Sequence, residues 1–158
     1  MNGEPQVDLK KAACKVVQRL QTAGYEALFA GGCVRDMLRN VPAHDYDIAT
    51  SALPEQIQAL FPRTVAVGAQ FGVISVLLNG FDIQVATFRS DGAYIDGRHP
   101  QSVRFSDAKE DALRRDFTIN GLFYDPVQEK LLDFVDGQSD LRKGLLRAIG
   151  DPEARIAE

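Results

Sequence analysis

Residues 73–88 read VISVLLNGFDIQVATF. Two runs rich in β-branched and aromatic residues flank Asn79-Gly80, the dipeptide best suited to the two left-handed positions of a two-residue turn. The segment predicts a β-hairpin, which needs further strands beside it and helices to cover it. Toward the N-terminus, residues 8–23, DLKKAACKVVQRLQTA, put Ala12, Ala13, Val16, Val17 and Leu20 on one helical face, and Gly24 stops the helix. Residues 25–30 read as a short apolar strand, 34–39 as a helix cut off before Pro42, 45–49 as a strand, and PEQIQALF as a helix opening at Pro54. Beyond the hairpin, residues 89–104 carry glycine, proline, aspartate and arginine without periodicity, which predicts a mobile loop. Ser106 is placed to cap a helix over 107–115, and short strands are expected near 121–125, 130–135 and 145–149. Hairpin strands with interspersed helices predict an α+β domain built on a mixed β-sheet with flanking helices.

A chain of 158 residues, 45% hydrophobic and 25% charged, is long enough for one domain with a real core. Its apolar runs are too short to span a bilayer, and its first ten residues are polar. The expectation is a cytoplasmic protein with no membrane partner. Cys14 and Cys33 have no metal or disulfide spacing and read as reduced thiols. A net charge of −4 argues against holding nucleic acid by a broad basic surface. The cations are instead clustered: Arg35 and Arg39, then Arg89, Arg98, His99 and Arg104, then Arg114 and Arg115.

The stretch with chemistry in it is FAGGCVRDMLRNVPAHDYDIAT, residues 29–50. Asp45 and Asp47 stand two apart, so on a strand both carboxylates share one face, with Cα atoms about 7 Å apart. Like charges so placed call for a cation, and Mg²⁺ suits a few carboxylates completed by water and phosphate oxygens. A bare D-x-D is more often a solvated pair. Gly31 and Gly32, between a strand and a helix, let a ligand approach the backbone and turn N–H groups toward an anion. Arg35 in the first helical turn opposes the helix dipole, which a bound phosphate would relieve and Asp36 could simply neutralise. No Gly-Lys-Ser and no third glycine follow, so this is neither of the common phosphate loops. Together the two halves ask for one ligand, a polyphosphate chelated to Mg²⁺.

GGCVRD (31–36), HDYDIATSA (44–52) and RRDFTING (114–121), in that order, resemble the bacterial tRNA nucleotidyltransferase/poly(A) polymerase family. This is a branch of the DNA polymerase β-like nucleotidyltransferases. ATFRSDGAYIDGRHPQSVRFS (86–106) looks like the family's flexible loop, and LLRAIGDPEARIAE (145–158) also matches. The resemblance implies a head domain that adds nucleotides from ATP and CTP to an RNA 3′ end, usually that of tRNA. It implies that Gly31, Gly32 and Arg35 bind the incoming triphosphate, and that Asp45 and Asp47 are catalytic and hold two Mg²⁺ ions. Arg114, Arg115, Asp116 and Asn120 fall in the motif associated with ribose and triphosphate; arginine forks suit phosphate oxygens. Without that resemblance, Arg114 and Arg115 read as cations at a helix end.

Two departures from the family pattern stand out. Gln84 occupies a place where the family usually carries glutamate, with Asp82 on the same strand face. The resemblance also makes residues 1–149 the head and 150–158 the start of a neck helix, so a head without its base-selecting neck is expected. Full CCA addition, partial addition of CC or A, and poly(A) synthesis share these head motifs and stay open. A non-catalytic nucleotide-binding module and a ligand-free α+β interaction domain are the readings from other classes.

Overall fold

The computed structural model describes residues 5–91 and 103–149. Its elements in chain order are α1 (Pro5–Thr22), β1 (Ala27–Ala30), α2 (Gly32–Leu38), β2 (Asp47–Thr50), α3 (Pro54–Leu60), β3 (Thr64–Gly68) and β4 (Val73–Leu78). There follow β5 (Phe81–Thr87), β6 (Arg89–Asp91), β7 (Val103–Phe105), α4 (Ala108–Leu113), β8 (Leu122–Asp125), β9 (Lys130–Asp133) and α5 (Gly137–Arg142). A single 3₁₀ turn, Thr118–Asn120, links α4 to β8.

The hairpin forms as expected. Leu78 pairs with Phe81 across a two-residue turn in which Asn79 and Gly80 have φ of 54° and 82°. Seven strands make one sheet in the order β3-β4-β5-β2-β1-β8-β9. β2 and β5 run parallel and every other neighbouring pair is antiparallel, so the sheet is mixed. The central strands are buried on both faces, and alternation along each strand divides the core in two. Phe29, Ile48, Ile83 and Val85 join Ala13, Val16, Val17 and Leu20 of α1 and Ile57 of α3 in the larger half. Leu28, Ala30 and Ala49 face the other way, onto Phe88, Phe123 and Ala108 and Ala112 of α4.

Helix ends follow local chemistry. At the end of α1, Gly24 takes φ of 97°, with Tyr25 N–H bonded to Leu20 C=O and Gly24 N–H to Gln21 C=O. That is the paired C-terminal bonding pattern only a left-handed residue permits. α4 is capped by Asp107, whose carboxylate accepts from Glu110 N–H at 2.9 Å, and not by Ser106. A carboxylate one residue further on competes well for the same role.

Other expectations need correction. β2 starts at Asp47, so Asp45 precedes the strand. Residues 145–149 form no strand: only Phe117 and Ala148 bridge, through Thr118 N–H to Arg147 C=O and Ile149 N–H to Asp116 C=O. The stretch read as one loop from 89 to 104 begins and ends as a ribbon, β6 paired with β7. Its residues 92–102, Arg98 included, and the expected neck at 150–158 lie outside the described residues.

α5 has no apolar stripe to announce it. Its start is built by Asp133, which accepts from Val135, Gly137 and Gln138 N–H at 3.0–3.2 Å. Asp140 then anchors the helix, accepting from the Thr118 hydroxyl at 2.7 Å and Arg147 Nε at 3.1 Å. The Thr118 hydroxyl, then Arg147, hold the Asp140 carboxyl below its usual range, against the opposing effect of burial. A depressed carboxylate contributes stability above its unfolded value and loses it as pH falls through the folded one. Asp140→Asn is therefore expected to lower stability near neutrality and to flatten its loss below about pH 4. Urea melts over that acid range check this.

Cys33 is buried, its thiol bonded to Ala30 C=O at 3.3 Å and pushed up to about 12 chiefly by burial. Cys14 and Cys33 are both unbridged. Among the described residues no helix is long and apolar enough to cross a membrane.

Candidate nucleotide site

Gly31 sits between β1 and α2 with φ 74° and ψ −139°, a conformation open only to glycine. The turn lets the chain reverse from the end of β1 directly into α2. Arg35 folds back over its start: a Cβ on Gly32 would lie 3.4 Å from Arg35 Nη2. Gly31→Ala is expected to cost about 1–3 kcal/mol of stability and to weaken nucleotide binding. Thermal melts and nucleotide titration read the two effects separately.

Arg35 does not rely on Asp36 alone. Its Nε donates to Asp36 at 3.3 Å, while Nη1 donates to the Asn120 side-chain oxygen at 3.1 Å. Asn120 in turn donates through Nδ2 to Asp116 Oδ1 at 3.3 Å, and Asp116 accepts from Phe117 N–H at 2.7 Å. The glycine motif and the RRDFTING motif are thus joined side chain to side chain.

Asp47 pairs with Ala30 at the end of β1, which puts the acid pair next to the glycine turn. Although Asp45 precedes β2, the alternation continues through it: Tyr46 and Ile48 are buried, Asp45 and Asp47 exposed. Both acids therefore face the same side, as the spacing predicted. Solvent still reaches Asp47, yet the protein packed about its carboxyl first, and the Asp45 charge second, hold it above its usual range, while the Arg115 guanidinium opposes them. A carboxylate held up beside a second, like-charged one on the same face fits a hard divalent cation. Continuing the parallel register by one residue from Ile48↔Val85 sets Gln84 beside Asp47. Asp82, on the same face, accepts from the Ser75 hydroxyl. Among the described residues no three of His, Cys, Asp and Glu converge on one metal position.

Arg115 completes the ring. A Cβ on Gly31 would lie 3.5 Å from its Nη1, and its guanidinium lies over the Phe123 ring at 5.3 Å. Arg114 turns to Asp111, with Nε 3.5 Å from Oδ2. Gly31, Gly32, Arg35, Asp45, Asp47, Arg115, Asp116 and Asn120 thus gather at one end of β1 and β2, with Arg114 at its edge. Asp111, which holds both arginines, is signalled in the sequence only by its Asp-x-x-x-Arg spacing on a helix.

A family model described as the Poly A polymerase head domain matches residues 27–147. The chain belongs to this family. A CCA-adding enzyme of Ligilactobacillus salivarius is 44% identical over 149 residues, which make up 94% of this head-domain chain and 37% of that protein. The crystal structure of the Bacillus stearothermophilus CCA-adding enzyme in complex with CTP superposes with a TM-score of 0.84 at 36% identity, covering 98% of this chain and 36% of that one. A Thermotoga maritima CCA-adding enzyme complexed with tRNA gives a TM-score of 0.67 at 25% identity, over 94% of this chain and 34% of that one. The head-domain chain spans a little over a third of the length of the relatives it matches.

Proposed function

We propose that the chain performs template-independent, Mg²⁺-dependent nucleotidyl transfer, adding CMP and AMP from CTP and ATP to a tRNA 3′ end with release of pyrophosphate. The observation that carries this reading is the Arg35–Asn120 bond, which closes 85 residues of sequence and joins the glycine turn to the arginine motif, beside the acid pair that β2 sets against the end of β1. The names of the relatives supply the substrate class.

On this reading residues 1–149 act as the head unit and 150–158 open a neck, in a cytoplasmic protein. The backbone at Gly31 and Gly32 admits the triphosphate, and Arg35 and Arg115 offset its charge from two sides. Asp116 and Asn120, already linked to Arg35, present a carboxylate and an amide to the ribose hydroxyls. Asp45 and Asp47 hold a two-metal site. Mg²⁺ bound there supplies Lewis acidity, lowering the pKa of the RNA 3′-hydroxyl and stabilising charge on the leaving pyrophosphate. Arg114 lends further positive charge at the margin.

The test, made on the full-length gene product, is incorporation on tRNA lacking its 3′ CCA, with labelled CTP and ATP given singly and together. Two C additions followed by one A support the proposal. Long A tracts without CTP would assign poly(A) synthesis instead. No incorporation with either nucleotide on that tRNA, on one ending in CC or on a generic RNA primer would leave a binding module.

A further inference from the structure

Asp111 lies on α4 with only 1% of its surface exposed. Its Oδ1 accepts from Arg115 Nε at 3.1 Å and Nη2 at 2.9 Å. Its Oδ2 accepts from the Arg89 backbone N–H at 3.0 Å and lies 3.5 Å from Arg114 Nε. A buried carboxylate persists only when such partners compensate its lost hydration. Here two guanidinium groups converge on one carboxylate.

The Arg115 guanidinium is held in one direction. Arg115 commits Nε and Nη2 to Asp111, which leaves Nη1 as the nitrogen turned to Gly31. Phe123 beneath the guanidinium fixes its plane, and the two constraints together select one orientation. The same guanidinium acts on Asp47. The other carboxylate oxygen grips Arg89 at the start of β6, where Ser106 N–H also returns to Phe88 C=O. One side chain therefore connects the root of the β6–β7 ribbon to the cation that faces the glycine turn.

We propose that Asp111 is a positioning residue: it holds Arg115 toward the triphosphate and ties that orientation to the root of the ribbon. The inference rests on the nucleotide-site reading above and deepens it.

Asp111→Asn keeps the shape and an acceptor for Arg89 but removes the charge and sets an amide against the arginine donors. Titration of CTP and ATP in Mg²⁺ is expected to give about tenfold weaker binding for Asp111→Asn, the middle of the range for coupled contacting residues. In an Arg115→Ala background the same change is expected to leave affinity unaltered, because its effect runs through Arg115. Hydrogen exchange at the Arg89 amide is expected to slow on adding nucleotide to the wild type, and not to Arg115→Ala. Unchanged affinity in Asp111→Asn, whatever its melting temperature, overturns the proposal, as do additive effects of the two substitutions or an Arg89 amide indifferent to nucleotide. Should the wild type itself bind no nucleotide, the site reading fails first and this inference falls with it.

Discussion

Asp47→Asn is expected to raise the melting temperature of the metal-free protein at neutral pH while reducing nucleotidyl transfer by about 10³-fold or more, the several kcal/mol that metal-assisted charge stabilisation contributes. The opposite directions follow from one fact. Asp47 is held above its ordinary carboxyl range by the protein packed about its carboxyl and by Asp45, so its ionised form is disfavoured in the folded chain. A raised carboxyl favours folding below its unfolded value and loses that contribution as pH rises through the folded one. At neutrality the wild type therefore carries a penalty that asparagine lacks, and the difference between the two should shrink as pH falls toward about 4. Added Mg²⁺ reverses the ranking, because only the wild type is stabilised by binding it. Melting curves in chelator and in Mg²⁺, compared across pH, read this without any assay of turnover. A wild type more stable than Asp47→Asn in chelator would contradict it.

Gly137→Ala is expected to be the most damaging glycine-to-alanine change among the described residues. A Cβ there would stand 2.2 Å from the Thr118 carbonyl oxygen, 2.9 Å from its carbonyl carbon and 3.0 Å from Leu122 Cδ2. Backbone cannot swing aside as a flexible side chain can, so α5 or the 118–120 turn must move. The expected cost is about 3 kcal/mol, the upper end for overpacking, or roughly 10 °C in melting temperature. Because that turn carries Asn120, whose oxygen receives Arg35, weaker nucleotide binding should accompany the lost stability. Gly68→Ala is the control: its Cβ would meet Val73 Cβ at an ordinary 3.6 Å, and it should melt close to wild type.

These two positions mark what the sequence could and could not reveal. The hairpin at Asn79-Gly80, the α1 stripe and the shared face of Asp45 and Asp47 were legible because each depends on local period and turn chemistry. The acid pair proved less regular than expected, since Asp45 precedes β2, yet alternation carried its side chain to the same side. Residues 145–149 looked like a strand from composition, but strand identity requires a neighbour, and only Ala148 has one. β3 is an edge strand whose five residues, Thr64–Gly68, give too short an alternation to stand out. α5 escaped notice because Asp133 and Asp140, and not an apolar face, hold it in place. In the site, charged side chains were recognisable as a set, but their partners were not. That Arg35 meets Asn120, and that Asp111 commands Arg115, follows from how β1, α2, α4 and the 118–120 turn pack together.

The central claim is that the glycine turn, the two aspartates and the arginine motif hold one Mg²⁺–triphosphate between them. Titration of CTP and ATP into the wild type, with Mg²⁺ and again with chelator, tests it most directly when repeated on Asp45→Asn, Asp47→Asn and Arg35→Ala. The expected result is binding in Mg²⁺ that weakens sharply in chelator and in all three variants. Nucleotide that binds equally with and without Mg²⁺ and is indifferent to the aspartates, or that does not bind at all, would contradict the claim.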